Sequence, residues 1–122
     1  MITGLDHVQL TCPPRAEERA RAFYGGLLGL REIDKPEPLR QRGGVWFECG
    51  AQQLHLGVED EFRPARKAHP ALRVDSMDEL RALAERLGDV RWDGDLTGFQ
   101  RFYVDDPFGN RIEVLALTPT GA

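Results

Sequence analysis

The sequence predicts an α+β protein in which one strand–helix–strand–strand–strand unit is written twice. Three observations predict it. Apolar residues switch from a period of two to a helical period and back, in the same order, in each half of the chain. The dipeptides that close the two predicted helices, Leu28-Gly29 and Leu87-Gly88, lie 59 residues apart. Other equivalent positions keep nearly that offset, 62 residues from His7 to His69 and 58 from His55 to Glu113, as a repeat with a few deleted loop residues would.

The first unit opens with a strand at Leu5-Asp6-His7-Val8-Gln9-Leu10, where alternation puts His7 and Gln9 on one face and Val8 and Leu10 on the other. Pro13-Pro14 stop it, and Glu17-Glu18 suit the first turn of a helix because carboxylates complement the helix dipole. Ala20, Phe23, Tyr24, Leu27 and Leu28 then form one apolar stripe, and Gly29 can close the helix in a left-handed cap. Strands follow at Leu30 to Ile33, Val45 to Glu48 and Gln53 to Gly57. A polar loop, Asp34 to Gly44, separates the first two, and the turn Cys49-Gly50-Ala51-Gln52 joins the others.

A charged, proline-containing stretch from Glu59 to Lys67 leads to the second unit. Its first strand surrounds His69, in Ala68 to Val74. Ser76 with Glu79 three residues on reads as a capping box, and Leu80, Leu83, Ala84 and Leu87 make the stripe of the helix that Gly88 ends. Val90 to Trp92, Phe99 to Val104 and Arg111 to Ala116 complete the unit, the last two joined by Asp106-Pro107-Phe108-Gly109-Asn110. The expected organisation is thus a single domain over 1–122, with module one at about 1–58, a linker at 59–67 and module two at about 68–122.

At 122 residues the chain can bury a core but has no room for a separate cofactor domain. Sixteen basic and 20 acidic residues give a net charge of −4, with the arginines scattered, which argues against nucleic acid. No apolar run approaches the roughly 20 residues that cross a bilayer, and Met1-Ile2-Thr3-Gly4-Leu5 lacks the regions of a signal peptide, so a cytoplasmic protein with no membrane partner is expected. In a reducing compartment Cys12 and Cys49 read as free thiols.

The residues with chemistry to offer are the three histidines and one glutamate. A single strand histidine is usually a hydrogen-bonded core or edge residue, and a single glutamate in a terminal strand usually points at water. In the repeat, however, His7 corresponds to His69 on the two first strands and His55 to Glu113 on the two fourth strands. Leu54, Leu56, Ile112 and Val114 flank the latter pair and mark the opposite face as the core, which leaves the four on a polar one. Three imidazoles and a carboxylate suit Zn, Ni, Fe or Mn, with positions left for water and substrate.

Other chemistries have weaker support. Ser76, the one serine, is best used as a helix cap, which disfavours a serine hydrolase. Nothing near Cys12 would depress its pKa. Gly25-Gly26-Leu27-Leu28-Gly29 closes a helix where a phosphate loop would open one. Arg15, Arg19 and Arg21 alternate with Glu17 and Glu18 as a solvated helix face does.

Nearly the whole chain resembles the vicinal oxygen chelate superfamily, the glyoxalase, bleomycin-resistance and extradiol-dioxygenase group. Leu5-Asp6-His7-Val8 looks like its opening strand, Phe23-Tyr24 with Leu27-Leu28-Gly29-Leu30 like its helix end, and Asp106-Pro107-Phe108-Gly109-Asn110-Arg111-Ile112-Glu113 like its fairly specific DP-x-G-N/H-x-x-E signature. The resemblance implies βαβββ modules forming a curved, cup-like mixed sheet round a divalent metal, with the helices outside. His7, His69 and Glu113 match the family's metal triad, and His55 its fourth position. Glyoxalase I commonly carries a basic Glu where His55 stands, so lactoylglutathione lyase activity is not implied. Superfamily epimerases, with a set similar to His, Gln, His and Glu, give precedent for a nitrogen or amide ligand there. Extradiol dioxygenases need only the triad but usually have more than two modules.

A metal that chelates two neighbouring oxygens of a small-molecule substrate serves lyase, isomerase, epimerase and dioxygenase reactions alike, by stabilising the charge that builds on those oxygens. If a protein group removes the substrate proton, Glu113 detached from the metal is the candidate catalytic base of this set. Gln9 and Arg73 are candidates to orient the substrate, and Trp46, Arg101 and Tyr103 to line its pocket. The alternative is a metal-free, drug-sequestering protein of the bleomycin-resistance type. Both readings imply a homodimer, since two-module chains of this family typically pair.

Overall fold

The alternation of apolar and polar residues decides which face of each strand is buried. The protein is described by a computed structural model that covers residues 1–94 and 98–117. In chain order the first elements are β1 (His7–Cys12), a helix that is α-helical over Glu17–Ala20 (α1) and π-helical over Arg21–Leu27, β2 (Arg31–Ile33), α2 (Glu37–Arg40), β3 (Val45–Cys49) and β4 (Gln52–Val58). The four strands form one mixed sheet in the order β1-β4-β3-β2, with β1 parallel to β4 and the other pairs antiparallel.

Leu10, Cys12, Val45, Phe47, Leu54 and Leu56 are buried on one side of this sheet, together with Ala20, Phe23 and Tyr24 of the helix. Phe23, Tyr24 and Phe47 pack as an aromatic chain, with ring centroids 5.0 and 5.7 Å apart. The helix widens where Gly25 and Gly26 offer no side chains to crowd the coil. Leu28 N–H bonds Phe23 O and Leu30 N–H bonds Tyr24 O, past Gly29 in the predicted left-handed conformation. Four-residue α2 falls in the predicted polar loop, because one turn begun by the Leu39 N–H to Pro36 O bond is too short to show a hydrophobic period.

The second set is β5 (Ala71–Arg73), α3 (Met77–Leu87), β6 (Arg91–Asp93), β7 (Phe99–Asp105) and β8 (Arg111–Leu117), its strands ordered β5-β8-β7-β6 with β5 parallel to β8. The fold is therefore α+β and repeats strand, helix, strand, strand, strand, as expected. Phe102, Val104, Ile112, Val114 and Ala116 are buried with Leu80, Leu83 and Ala84 of α3, which packs on β7 and β8. Ser76 caps α3 by accepting from Glu79 N–H at 3.1 Å. The Glu79 carboxylate accepts from Asp75 N–H, one residue earlier than the usual capping box.

One placement differs from expectation. His69 lies two residues before β5, outside it, because Pro70 has no N–H to donate to the ladder. Pro70 O still accepts from Glu113 N–H at 3.0 Å, so His69 is delivered beside β8 without belonging to the sheet.

The chain divides into two compact units, one ending at Pro64 and the other beginning at Ala65. Among the described residues no helix is long and apolar enough to cross a membrane.

Candidate functional site

His7 and His55 lie on the polar face of the first sheet and Glu113 on that of the second, with His69 beside it. In the first, Trp46 of β3 and Gln9 of β1 are both register partners of His55 on β4, and His7 is the partner of Gln53. The rings form a ladder: Trp46 stacks on His55 at 3.7 Å with 4° between planes, and His7 stacks on His55 at 4.3 Å and 15°. His55 is only 3% exposed. Burial pushes its imidazole down to about 4, with the charges of His7 and Lys35 acting in the same sense and Asp6 opposing. It is therefore neutral at pH 7, the form in which histidine ligates metals.

Hydrogen bonds fix which nitrogens remain free. Carbonyl and carboxylate oxygens only accept, so Nδ1 of His7 donates to Asp6 Oδ1 at 2.9 Å and Nδ1 of His69 donates to Lys67 O at 2.8 Å. Each ring thus has an oxygen partner behind it, as ligating histidines usually do, which leaves Nε2 of His7 without a hydrogen bond among the described residues while Nε2 of His69 meets Glu113 Oε1. His55 differs, since its Nε2 meets Gln53 Oε1 at 2.8 Å and leaves Nδ1.

In the second unit Glu113 sits on β8 opposite Tyr103 of β7 and beside Ala71 of β5. Although 6% exposed, its carboxylate is fully engaged: Oε1 lies 2.9 Å from His69 Nε2, and Oε2 accepts from Arg101 Nη1 at 3.4 Å. Arg101 is held in turn by Asp93 Oδ2 at 3.0 Å, and its buried Nε has no hydrogen-bond partner among the described residues. The Tyr103 ring stands edge-on to His69 at 5.4 Å, with the guanidinium groups of Arg101 and Arg111 5.3 and 5.2 Å from its centre.

The donor set fits a divalent ion in its chemistry. Two ligands about 2.1 Å from one ion and at right angles to each other are about 3 Å apart, close to the separation of His69 Nε2 and Glu113 Oε1. Each unit supplies two donors, and among the described residues no three His, Cys, Asp or Glu side chains form a group able to hold a metal.

Arg101 and Tyr103 thus meet Glu113 and His69, while Gln9 and Trp46 share the face of His55. Arg73 is on the Glu113 face of β5, opposite Leu115, and forms no hydrogen bond or ion pair among the described residues. Sequence reasoning missed Gln53 and Asp93. Gln53 could have been found from its i−2 relation to His55, which sets both on one face. Asp93 could not, because its contact with Arg101 depends on the β6–β7 register.

The signature turn has a structural task. Asp106 Oδ1 accepts from the N–H groups of Phe108 and Asn110 at 2.9 and 2.8 Å, and Oδ2 accepts from Asn110 Nδ2 at 2.9 Å. Asn110 Oδ1 accepts from Ala65 N–H at 2.9 Å and Ala65 O from Arg111 N–H at 2.8 Å, which locks the start of β8 and so the position of Glu113.

Comparisons with known proteins bear on this arrangement. A family model described as Glyoxalase/Bleomycin resistance protein/Dioxygenase superfamily matches residues 4–114. The crystal structure of a Bacillus anthracis protein assigned to the glyoxalase family is 50% identical, with a TM-score of 0.92, covering 97% of this chain and 98% of that one. Lactoylglutathione lyase from Agrobacterium tumefaciens is 21% identical, with a TM-score of 0.75 and 94% of each chain covered. The fosfomycin resistance protein FosX from Listeria monocytogenes is 20% identical, with a TM-score of 0.74, covering 97% of this chain and 96% of that one. At those identities the last two share the fold. No curated protein matches the chain.

Proposed function

From the chain's membership of the Glyoxalase/Bleomycin resistance protein/Dioxygenase superfamily, to which it belongs over residues 4–114, we propose that it is a metal-dependent enzyme of the glyoxalase-like group. It acts as a lyase, isomerase or epimerase, or dioxygenase on a small molecule with two neighbouring oxygens. His7, His55, His69 and Glu113 hold a divalent metal, Zn, Ni, Fe or Mn. The observation that carries this reading is the repeated pairing of a histidine at or just before the first strand with a fourth-strand donor, His7 with His55 and His69 with Glu113.

When bound, the ion supplies Lewis acidity to the two substrate oxygens. The chain's own residues do the rest. Glu113 takes the substrate proton on a carboxylate oxygen, and Arg101, anchored by Asp93, holds that carboxylate in place. His55 stays neutral and offers a lone pair, because protonation in its buried position is disfavoured. Gln9, Trp46, Arg73, Arg101 and Tyr103 are the residues proposed to orient the substrate. The working form is a homodimer.

A metal-free binding protein is the second reading, favoured by the engagement of Glu113 with Arg101 and His69, which already balances its charge. Metal content by mass spectrometry, after loading with Zn, Ni, Mn and Fe, separates the two. Near one ion per chain is expected in the wild type, with strong loss in His69→Ala and Glu113→Ala. Occupancy below about a tenth in the wild type would leave the binding-protein reading in its place.

A further inference from the structure

The first unit has a cleft on its polar side of about 160 Å³, lined by Gln9, Lys35, Leu39, Arg42, Trp46 and Val58 among others. Ligand pockets usually enclose about 300–1,000 Å³, so this cleft can take one end of a small molecule rather than the whole of it. Its charge is unusual in a chain with a net charge of −4. Arg21, Arg31 and Arg40 of this unit each pair with a carboxylate, of Glu18 and Glu32, Glu48 and Glu37 respectively. Neither Lys35 nor Arg42 has a carboxylate within ion-pair distance among the described residues.

Lys35 is half-buried, and its ammonium donates to Gly43 O, a neutral acceptor. Burial pushes it below its usual range, Arg42 adding to the effect and Glu17 opposing it. Glu17 acts on Lys35 through its charge without pairing with it, its Oε2 accepting from Gly44 N–H at 2.9 Å. A second cleft of about 170 Å³ shares Lys35 and Trp46, but it contains Glu32 and Asp34, and its arginines are the paired Arg21 and Arg40. An anion is therefore better received in the first.

The cleft also has a direction. Trp46 forms its wall and stacks at 3.7 Å on His55, and Gln9 is the register partner of His55. Gly57 leaves room for the Gln9 amide, since a Cβ there would come within 2.7 Å of Gln9 Nε2. A molecule with its charged end between Lys35 and Arg42 would run over the indole towards His55.

We propose that this cleft is an oxyanion subsite, in which Lys35 and Arg42 bind the carboxylate or phosphonate tail of the small molecule whose other end reacts. Binding of the tail stands on the cleft alone. Only the identity of the reacting end rests on the proposed function.

The test uses the full-length, metal-free protein carrying Trp92→Phe, so that the Trp46 indole N–H is the single reporter by nuclear magnetic resonance. Methylphosphonate, acetate and neutral acetamide are titrated separately. Saturable shifts with an anion and none with acetamide are expected, and the tighter of the two anions assigns the tail. Lys35→Gln and Arg42→Gln should each weaken binding about tenfold or more, as loss of a charge-assisted hydrogen bond does, while Arg42→Lys keeps most of it. Equal binding of acetamide, or unchanged affinity in both glutamine variants, would overturn the proposal. His69→Ala should bind the anion as the wild type does. A wild-type protein that binds the tail but takes up no metal therefore counts against the metal reading alone, and one that takes up metal but does not bind the tail counts against the subsite alone.

Discussion

Asn110 shows how one side chain reaches the chemistry without touching it. Fully buried, it ties Asp106 on one side to Ala65 on the other, and the strand that follows presents Glu113 three residues later. Asn110→Ala leaves the Ala65 N–H and a carboxylate oxygen short of a partner, a loss of about 2–4 kcal/mol. Thermal unfolding followed by circular dichroism should show a midpoint lowered by about 10 °C, and a drop under about 3 °C would deny Asn110 this role. The motif was legible in the sequence as a signature, but its hydrogen bonds were not, since one partner lies 45 positions away. Asp93 was hidden because its contact with Arg101 depends on the register of β6 on β7. His69 was misplaced by two residues because a histidine and a proline beside an apolar run leave the strand's start undefined until the ladder is seen.

The element scale is where the sequence was most readable. Strict alternation on β1, β3, β4, β7 and β8 fixed the core faces, and through them the polar faces that carry His7, His55 and Glu113. What alternation cannot give is how rings on one face meet. The Trp46–His55–His7 ladder arises from the register of three strands, and it has a consequence for stability. Folded, His55 titrates at about 4, against an ordinary value of 6.5. Between those values the unfolded chain binds a proton that the folded chain refuses, so stability falls as pH drops from 6.5 through 4 and is unaffected by this group above 6.5. Urea midpoints of metal-free protein at pH 7 and pH 5 should therefore differ more in the wild type than in His55→Gln. Equal differences would mean that His55 is not held neutral. The one-turn α2, which brings Leu39 to the proposed anion subsite, was unreadable because its residues show no period.

At the scale of the molecule, each four-stranded sheet has two edge strands, and Trp92 and Leu117 remain 48% and 59% exposed in the second unit. Unpaired edges and exposed apolar side chains favour association with a second copy. Light scattering should give twice the chain mass of 13.7 kDa, and a 13.7 kDa particle at micromolar concentration would contradict the homodimer. The family and the doubled unit were both apparent from the sequence, whereas the metal centre is proposed on four residues, His7, His55, His69 and Glu113. Co(II) titration followed by visible absorption tests that claim most directly. The account predicts one Co(II) per chain in the wild type, with binding weakened or abolished in each of His7→Ala, His55→Ala, His69→Ala and Glu113→Ala. Wild-type binding in His7→Ala and His55→Ala, with loss confined to the other two, would contradict the proposed four-residue centre.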